Sequence, residues 1–392
     1  MSGHDDFYGI SKEYFAERNS IFTSEEIAQQ PRLWLDLAEL LPEKKDDISA
    51  FMKKTRGMRV VFTGAGSSGF IGDALSVLIA KNNGVSTESI HSTDIVTAPD
   101  SFLFPDVPTL LVSFARSGNS PESVGAVEYA RAAVKDLYEA AIVCDDTSDL
   151  YNVTAQSDKS LILVMPEGSN DKGFAMTSSV SCMMLTGFAL FNEGRIDDLA
   201  KDIALLAKNL AAAGPKMTET ARKWAERDFD RIVYLGCGFL KHVAHEASLK
   251  MMELTCGTVN GSYESSAGFR HGPKSVIKDK TLTVHLISND PFTARYDIDL
   301  LKEVLSQQDR NMIISVCPEN IEDVPGEDIV PVASFGYSAG ADVCTGLHAL
   351  VFCQMLAMFK SLSLGVKTDD PSPNGAVNRV VKGIVVYGYE GD

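Results

Sequence analysis

Short apolar runs punctuate the chain at 59–63, 110–114, 140–144 and 161–165, separated by amphipathic stretches. Runs of this length without strict alternation predict strands buried on both faces, as in a parallel sheet covered by helices. Ahead of them, residues 1–51 read as a helical segment. Thr23-Ser24-Glu25-Glu26 offers a helix start, and Pro31 suits the entry to a second helix through Trp34, Leu35, Leu37, Leu40 and Leu41. The nearest approach to an 18-residue apolar run, 347–364, is interrupted by His348, Gln354 and Lys360, so no membrane span is expected.

The pattern occurs twice. Arg59-Val60-Val61-Phe62-Thr63-Gly64-Ala65-Gly66 resembles Arg231-Ile232-Val233-Tyr234-Leu235-Gly236-Cys237-Gly238 at an offset of 172 positions. At the same offset Thr109-Leu110-Leu111-Val112 meets Thr281-Leu282-Thr283-Val284, and Ala141-Ile142-Val143-Cys144 meets Ile313-Ile314-Ser315-Val316. Three strand-like segments in one ungapped register predict two copies of one α/β unit. We place them at 52–212 and 215–392, joined near Gly214-Pro215.

Composition enters mainly by exclusion. At 392 residues the chain is longer than one ordinary domain, and 45% hydrophobic with 23% charged residues is a globular profile. A net charge of −17 argues against nucleic acid or anionic lipid as a partner. A phosphorylated metabolite would need a local site working against that field. Seven scattered cysteines without a C-x-x-C argue against a disulfide framework and a zinc site, and fit a reducing cytoplasm. The first ten residues carry Asp5 and Asp6 and no apolar core, so no signal peptide is expected.

In each copy the first strand ends in G-x-G and runs into a helix. Glycines allow a tight turn and close approach of a ligand, and the helix N-terminus offers free N–H groups to an anion. Gly64, Gly66 and Gly69 also match a dinucleotide fingerprint, a weak signal alone; the acidic residue it needs is unclear, Asp94 lying 25 positions beyond Gly69. The second loop, Ala115-Arg116-Ser117-Gly118-Asn119-Ser120-Pro121-Glu122, weighs for phosphate: two serines, a glycine and an arginine meet a helix start with Ser120 as N-cap and Pro121 at the first position. The second copy has Ser288-Asn289-Asp290-Pro291 there, an acid in place of the hydroxyls. One phosphate site per chain is therefore expected.

The second copy carries a polar segment of its own. Residues 244–254 read as a helix with His245, Glu246, Lys250 and Glu253, and the spacing of Lys250 and Glu253 puts them on one face among Leu249, Met251, Met252 and Leu254. An ordinary solvated ion pair is the plain alternative. Beyond it, Phe269-Arg270-His271-Gly272-Pro273-Lys274 places a histidine on a loop or helix start.

Together these motifs resemble the sugar isomerase (SIS) family: G-x-G-S-S, then S-F-A-R-S-G-N-S-P-E-S, E-A-S-L-K-M-M-E and G-F-R-H-G-P-K. They are similar to the two-SIS-domain branch that includes the isomerase half of glucosamine-6-phosphate synthase. Within it they look like the galactosamine-6-phosphate deaminases, also described as tagatose-6-phosphate ketose/aldose isomerases. The resemblance implies an α/β fold of two SIS domains, each a mainly parallel sheet covered by helices on both faces, after an N-terminal helical segment. It implies that Ser67, Ser68, Ser117 and Ser120 are phosphate-loop hydroxyls, with Arg116 where the synthase has glutamine. It implies that Glu253 is the catalytic carboxylate, Lys250 its neighbouring lysine, and His271 a ring-opening histidine donated by the partner of a homodimer or higher oligomer. Thr177 and Ser178 would line the sugar site, and Arg379 and Lys382 lie in a tail resembling one that closes over the sugar. One departure is Gly268, where the synthase pattern has a glutamate three residues before the histidine.

The implied chemistry is coherent. Histidine titrates near neutrality and can move a proton between ring and anomeric oxygens. A carboxylate then transfers a proton between C1 and C2, and a lysine stabilises the charge that develops. With nitrogen at C2 the resulting imine is hydrolysed and ammonia leaves. The expected substrate is thus a phosphorylated amino sugar, with no cofactor and no metal. The alternatives are a plain aldose–ketose isomerase, a glucosamine-6-phosphate deaminase and a non-catalytic sugar-phosphate sensor. A glutaminase half is not expected, because the chain opens Met1-Ser2-Gly3 and has no cysteine before Cys144.

Overall fold

The apolar runs are strands of two five-stranded parallel sheets in a computed structural model that describes residues 6–307, 312–326, 328–372, 378–379 and 383–391. The chain divides into two compact units. One comprises Leu33–Asp171, Ser178–Lys201 and the C-terminal segment containing Arg379. The other comprises residues up to Arg32, Lys172–Thr177 and residues from Asp202 to that segment.

In the unit beginning at Leu33, the strands are β1 (Arg59–Thr63), β2 (Thr87–Ser89), β3 (Thr109–Ala115), β4 (Leu137–Val143) and β5 (Ser160–Val164). Their order is β2-β1-β3-β4-β5, a doubly wound sheet. Helices α1 (Ser67–Asn83) and α2 (Pro121–Ala133) follow β1 and β3, and α3 (Ser178–Leu190) is buried throughout. β3 is buried at every position, as a central strand covered on both faces should be.

A 30-residue helix, α4 (Ile196–Ala225), comes next, and the joint expected near Gly214-Pro215 falls inside it. Gly214 is tolerated there because the Tyr8 ring lies where a Cβ would be, 2.1 Å away.

The other unit repeats the plan. β6 (Arg231–Gly236), β7 (Asn260–Glu264), β8 (Thr281–Leu286), β9 (Met312–Pro318) and β10 (Ile329–Val332) are ordered β7-β6-β8-β9-β10. Its helices are α5 (Phe239–Leu254), α6 (Pro291–Gln307) and α7 (Ala341–Ser363). The 172-residue offset holds for the first two runs, since Arg59 pairs with Thr109 and Arg231 with Thr281. It does not hold for the third. Leu110 pairs with Tyr138 but Leu282 pairs with Met312, a slip of two residues. The preceding helix has 17 residues in the second copy against 13 in the first. Because it starts at Pro291 against Pro121, it begins two positions early at that offset and ends two late, which gives the slip. An even slip keeps every side chain on its face, so the pattern survives while the ungapped register fails.

α7 is long and apolar enough to cross a membrane, yet 94% of its apolar window is buried by protein. It packs on α5, where the Phe239 ring sits 2.3 Å from the position of a Cβ on Gly346. Asp202 accepts the N–H groups of Ser338, Ala339 and Gly340 ahead of its first turn.

Candidate active site

In a doubly wound sheet ligands bind beyond the C-terminal ends of the strands, where the strand order reverses. In the unit beginning at Leu33 that point lies between β1 and β3, the strands that lead into the two predicted phosphate loops. Gly66 has φ +56° and ψ −130°, and Gly238 in the other copy +56° and −126°, so the two turns share one conformation that side chains disfavour. A Cβ on Gly64 would lie 2.7 Å from the Ser68 backbone, which fixes the close approach of the α1 N-terminus. Ser67 and Ser68 form the first turn of α1, and both are buried.

At the end of β3, Arg116 is only 7% exposed. Its Nη2 donates to the Arg379 carbonyl at 2.8 Å. Gly118, at φ +64°, has Ser148 Oγ 2.3 Å from where its Cβ would stand, so only glycine fits. Ser117 Oγ accepts the Asn119 N–H at 3.4 Å. Ser120 is the N-cap residue of α2, but its hydroxyl donates to Glu122 Oε2 at 2.5 Å instead of capping the helix. The first N–H groups of α2 therefore have no side-chain cap.

Arg379 donates through Nε to the Asp171 carbonyl at 2.8 Å and through Nη2 to Asn170 Oδ1 at 2.9 Å. Asp171 is fully buried, and its carboxylate accepts the N–H groups of Ser178 at 3.2 Å and Ser179 at 2.9 Å. Ser178 is thus held at the start of α3. Burial and the neighbouring Asp171 push the Cys144 thiol, beside Arg116, up to about 12. Lys382 lies outside the described residues. Thr177 ends the short segment that belongs to the other unit, and its carbonyl accepts from Gln354.

That other unit holds the predicted acid and base groups. Lys250 is fully buried on α5. Its Nζ donates to Glu253 Oε2 at 2.5 Å and lies 3.3 Å from Glu246 Oε1. Burial pulls the lysine's pKa down, but the two carboxylates outweigh it and the net shift is upward, so the ammonium is retained. Glu253 is half-buried, whereas Glu246 is 1% exposed. The sequence motifs do not single out Glu246 as a site residue, although its i,i+4 spacing to Lys250 carries the signal.

His271 is exposed between a one-turn helix, Ser266–Phe269, and a 3-10 turn, Pro273–Val276. Its flanking cations are tied to α6. Arg270 donates to Glu303 at 2.6 Å and Asp299 at 3.0 Å, and Lys274 donates to Glu303. The R-H-G-P-K motif therefore anchors its two cations and leaves the imidazole at the surface.

The doubly wound repeat and its glycine turns define a SIS-domain protein, and the SIS domain model matches residues 54–193. A protein of Streptomyces coelicolor, named as an AgaS, is 38% identical over 372 residues, 94% of this chain and 96% of its own. The D-galactosamine-6-phosphate deaminase AgaS of Escherichia coli is 36% identical over 380 residues, 96% of this chain and 98% of its own. The crystal structure of tagatose-6-phosphate ketose/aldose isomerase from Escherichia coli superposes with a TM-score of 0.85 at 34% identity, covering 94% of this chain and 97% of that one. The chain belongs to the AgaS family of SIS-domain proteins.

Proposed function

We propose that this protein converts galactosamine 6-phosphate and water to tagatose 6-phosphate and ammonia. The observation that carries the reading is the buried Lys250 ammonium between Glu246 and Glu253 on the helix that follows the second G-x-G turn. The E. coli relative's name, a deaminase of this sugar phosphate, supports the substrate. His271 opens the ring by moving a proton from the anomeric hydroxyl to the ring oxygen. Glu253 takes the C2 proton and returns it at C1. The Lys250 ammonium stabilises the negative charge that grows on oxygen meanwhile. The C2 imine that results adds water, and the C–N bond breaks to leave a ketone and ammonia. The uncapped α2 start, Arg116 and the hydroxyls of Ser67, Ser68, Ser117 and Ser120 hold the phosphate. The reaction is intracellular on this reading, consistent with seven free cysteines.

A plain ketose/aldose isomerase is the second reading, favoured by the name of the E. coli structure. A coupled assay separates the two. Stoichiometric ammonia from galactosamine 6-phosphate is the expected result; interconversion of tagatose 6-phosphate with its aldose and no ammonia from the amino sugar would select the isomerase.

His271 acts on the substrate bound by the partner subunit, a reading supported by its exposure on a surface turn. Mixing tests this. Glu253→Gln and His271→Ala are each expected to be inactive. In a mixed dimer one site carries both lesions and the other neither. Half of the dimers are mixed at equal proportions, so about a quarter of wild-type activity should return. If subunit exchange is verified and activity stays at background, the histidine serves its own chain.

A further inference from the structure

The second copy has its own crevice at the C-terminal ends of β6 and β8, and a side chain fills it. Asp297, on α6, is 1% exposed. Its Oδ2 accepts the Ser288 N–H at 3.0 Å, and its Oδ1 accepts the Ser266 hydroxyl at 2.5 Å. The Cys237 thiol also donates to it. At the 172-residue offset Ser288 corresponds to Arg116 and Cys237 to Ala65. Counted from the helix starts at Pro291 and Pro121, Asp297 corresponds to Val127, an apolar residue of α2. Asp290 adds a second acid at the loop, accepting the Thr293 N–H at 2.9 Å in the first turn of α6. The donors at this switch point thus face the chain's own carboxylates.

The three donors to Asp297 sit at particular places. Cys237 belongs to the turn that launches α5, the helix of Glu246, Lys250 and Glu253. Ser266 opens the one-turn helix that leads to His271. Ser288 follows the end of β8, the central strand. We propose that Asp297 is a positioning residue: its carboxylate takes the place in the second copy that phosphate takes in the first, and pins the Glu253 helix and the His271 turn to the sheet. This rests on the reading of Glu253, His271 and the first-copy phosphate site given above. Because Asp297 lies in the copy without the phosphate loops, its loss should act on turnover and not on phosphate affinity.

The test uses the full chain with Asp297→Asn and Asp297→Gly. Asparagine keeps the volume but presents an N–H2 where a hydroxyl and a thiol must donate. Glycine leaves a hole the size of acetate, which admits formate with its carboxylate at the same place. For ammonia release, kcat is expected to fall at least about tenfold in both variants, with KM within about threefold of wild type. Formate should raise kcat and Tm of the glycine variant and leave the wild type unchanged. Inorganic phosphate, titrated directly, should bind all three proteins alike at one site per chain. Wild-type kcat in either variant, no response to formate in a folded glycine variant, or a loss of phosphate binding that matches the loss of kcat would each overturn the proposal. If the glycine variant does not fold, the asparagine kcat and KM decide. A wild type that releases no ammonia strikes the function reading instead; the formate-dependent Tm and phosphate stoichiometry still test Asp297.

Discussion

Glu253→Gln is expected to lower ammonia release by at least about 100-fold while leaving substrate affinity and thermal stability near wild type. Glutamine still accepts a hydrogen bond from Lys250, and the ammonium keeps its contact with Glu246 at 3.3 Å. What is lost is a base able to take a proton from carbon. Lys250→Met should behave differently. It leaves the Glu246 carboxylate buried without its cation, and removing one member of a buried pair costs about 3–5 kcal/mol. The two variants therefore separate chemistry from folding on one helix: the glutamine protein inactive and stable, the methionine protein inactive and marginal. Near-wild-type turnover in Glu253→Gln would remove the carboxylate from the mechanism. Equal loss of Tm in both would mean that Glu253 serves the fold alone.

Much of this architecture is legible in the residues because glycine and apolar periodicity report backbone needs directly. Gly66 and Gly238 are required by the same φ of +56°, and they mark the first strand of each copy. The third strand is less readable: its apolar run matches at 172 and at 174, since a shift of two preserves the faces. The three-residue strand Thr87–Ser89 shows no apolar run to betray it. Motif residues stand out because their neighbours in sequence share their task, as in Arg116 to Ser120. Residues that act through the fold do not. Asp171, which caps α3 and carries Arg379 on its carbonyl, and Asp297, which gathers donors from three segments, are single acids in unremarkable sequence. Their roles exist only once distant segments have met.

Acidification offers the second large effect, through two histidines that stand apart from the chemistry. His285 on β8 and His348 on α7 are each 1% exposed, and neither ring nitrogen has a hydrogen-bond partner among the described residues. Burial holds their pKa values down at about 3 and about 4, against 6.5 for an unperturbed imidazole. Between pH 6.5 and those values the unfolded chain binds protons that the folded chain refuses. Stability from this source is therefore complete above about pH 7 and falls as the pH drops, by up to about 1.4 kcal/mol per pH unit for each histidine. By pH 4.5 the two together should remove several kcal/mol, a large part of the roughly 5–15 kcal/mol that holds a typical domain. Carboxylates also titrate in this range, so the wild-type curve alone does not identify the cause. The double variant His285→Met, His348→Met has no imidazole at either site, and methionine adapts to apolar surroundings. Thermal unfolding measured from pH 8 to pH 4.5 should show the variant losing distinctly less Tm than the wild type, with the gap opening below pH 6.5. Parallel curves across that window would show that the two imidazoles are protonated in the folded protein or reached by water, contrary to their burial.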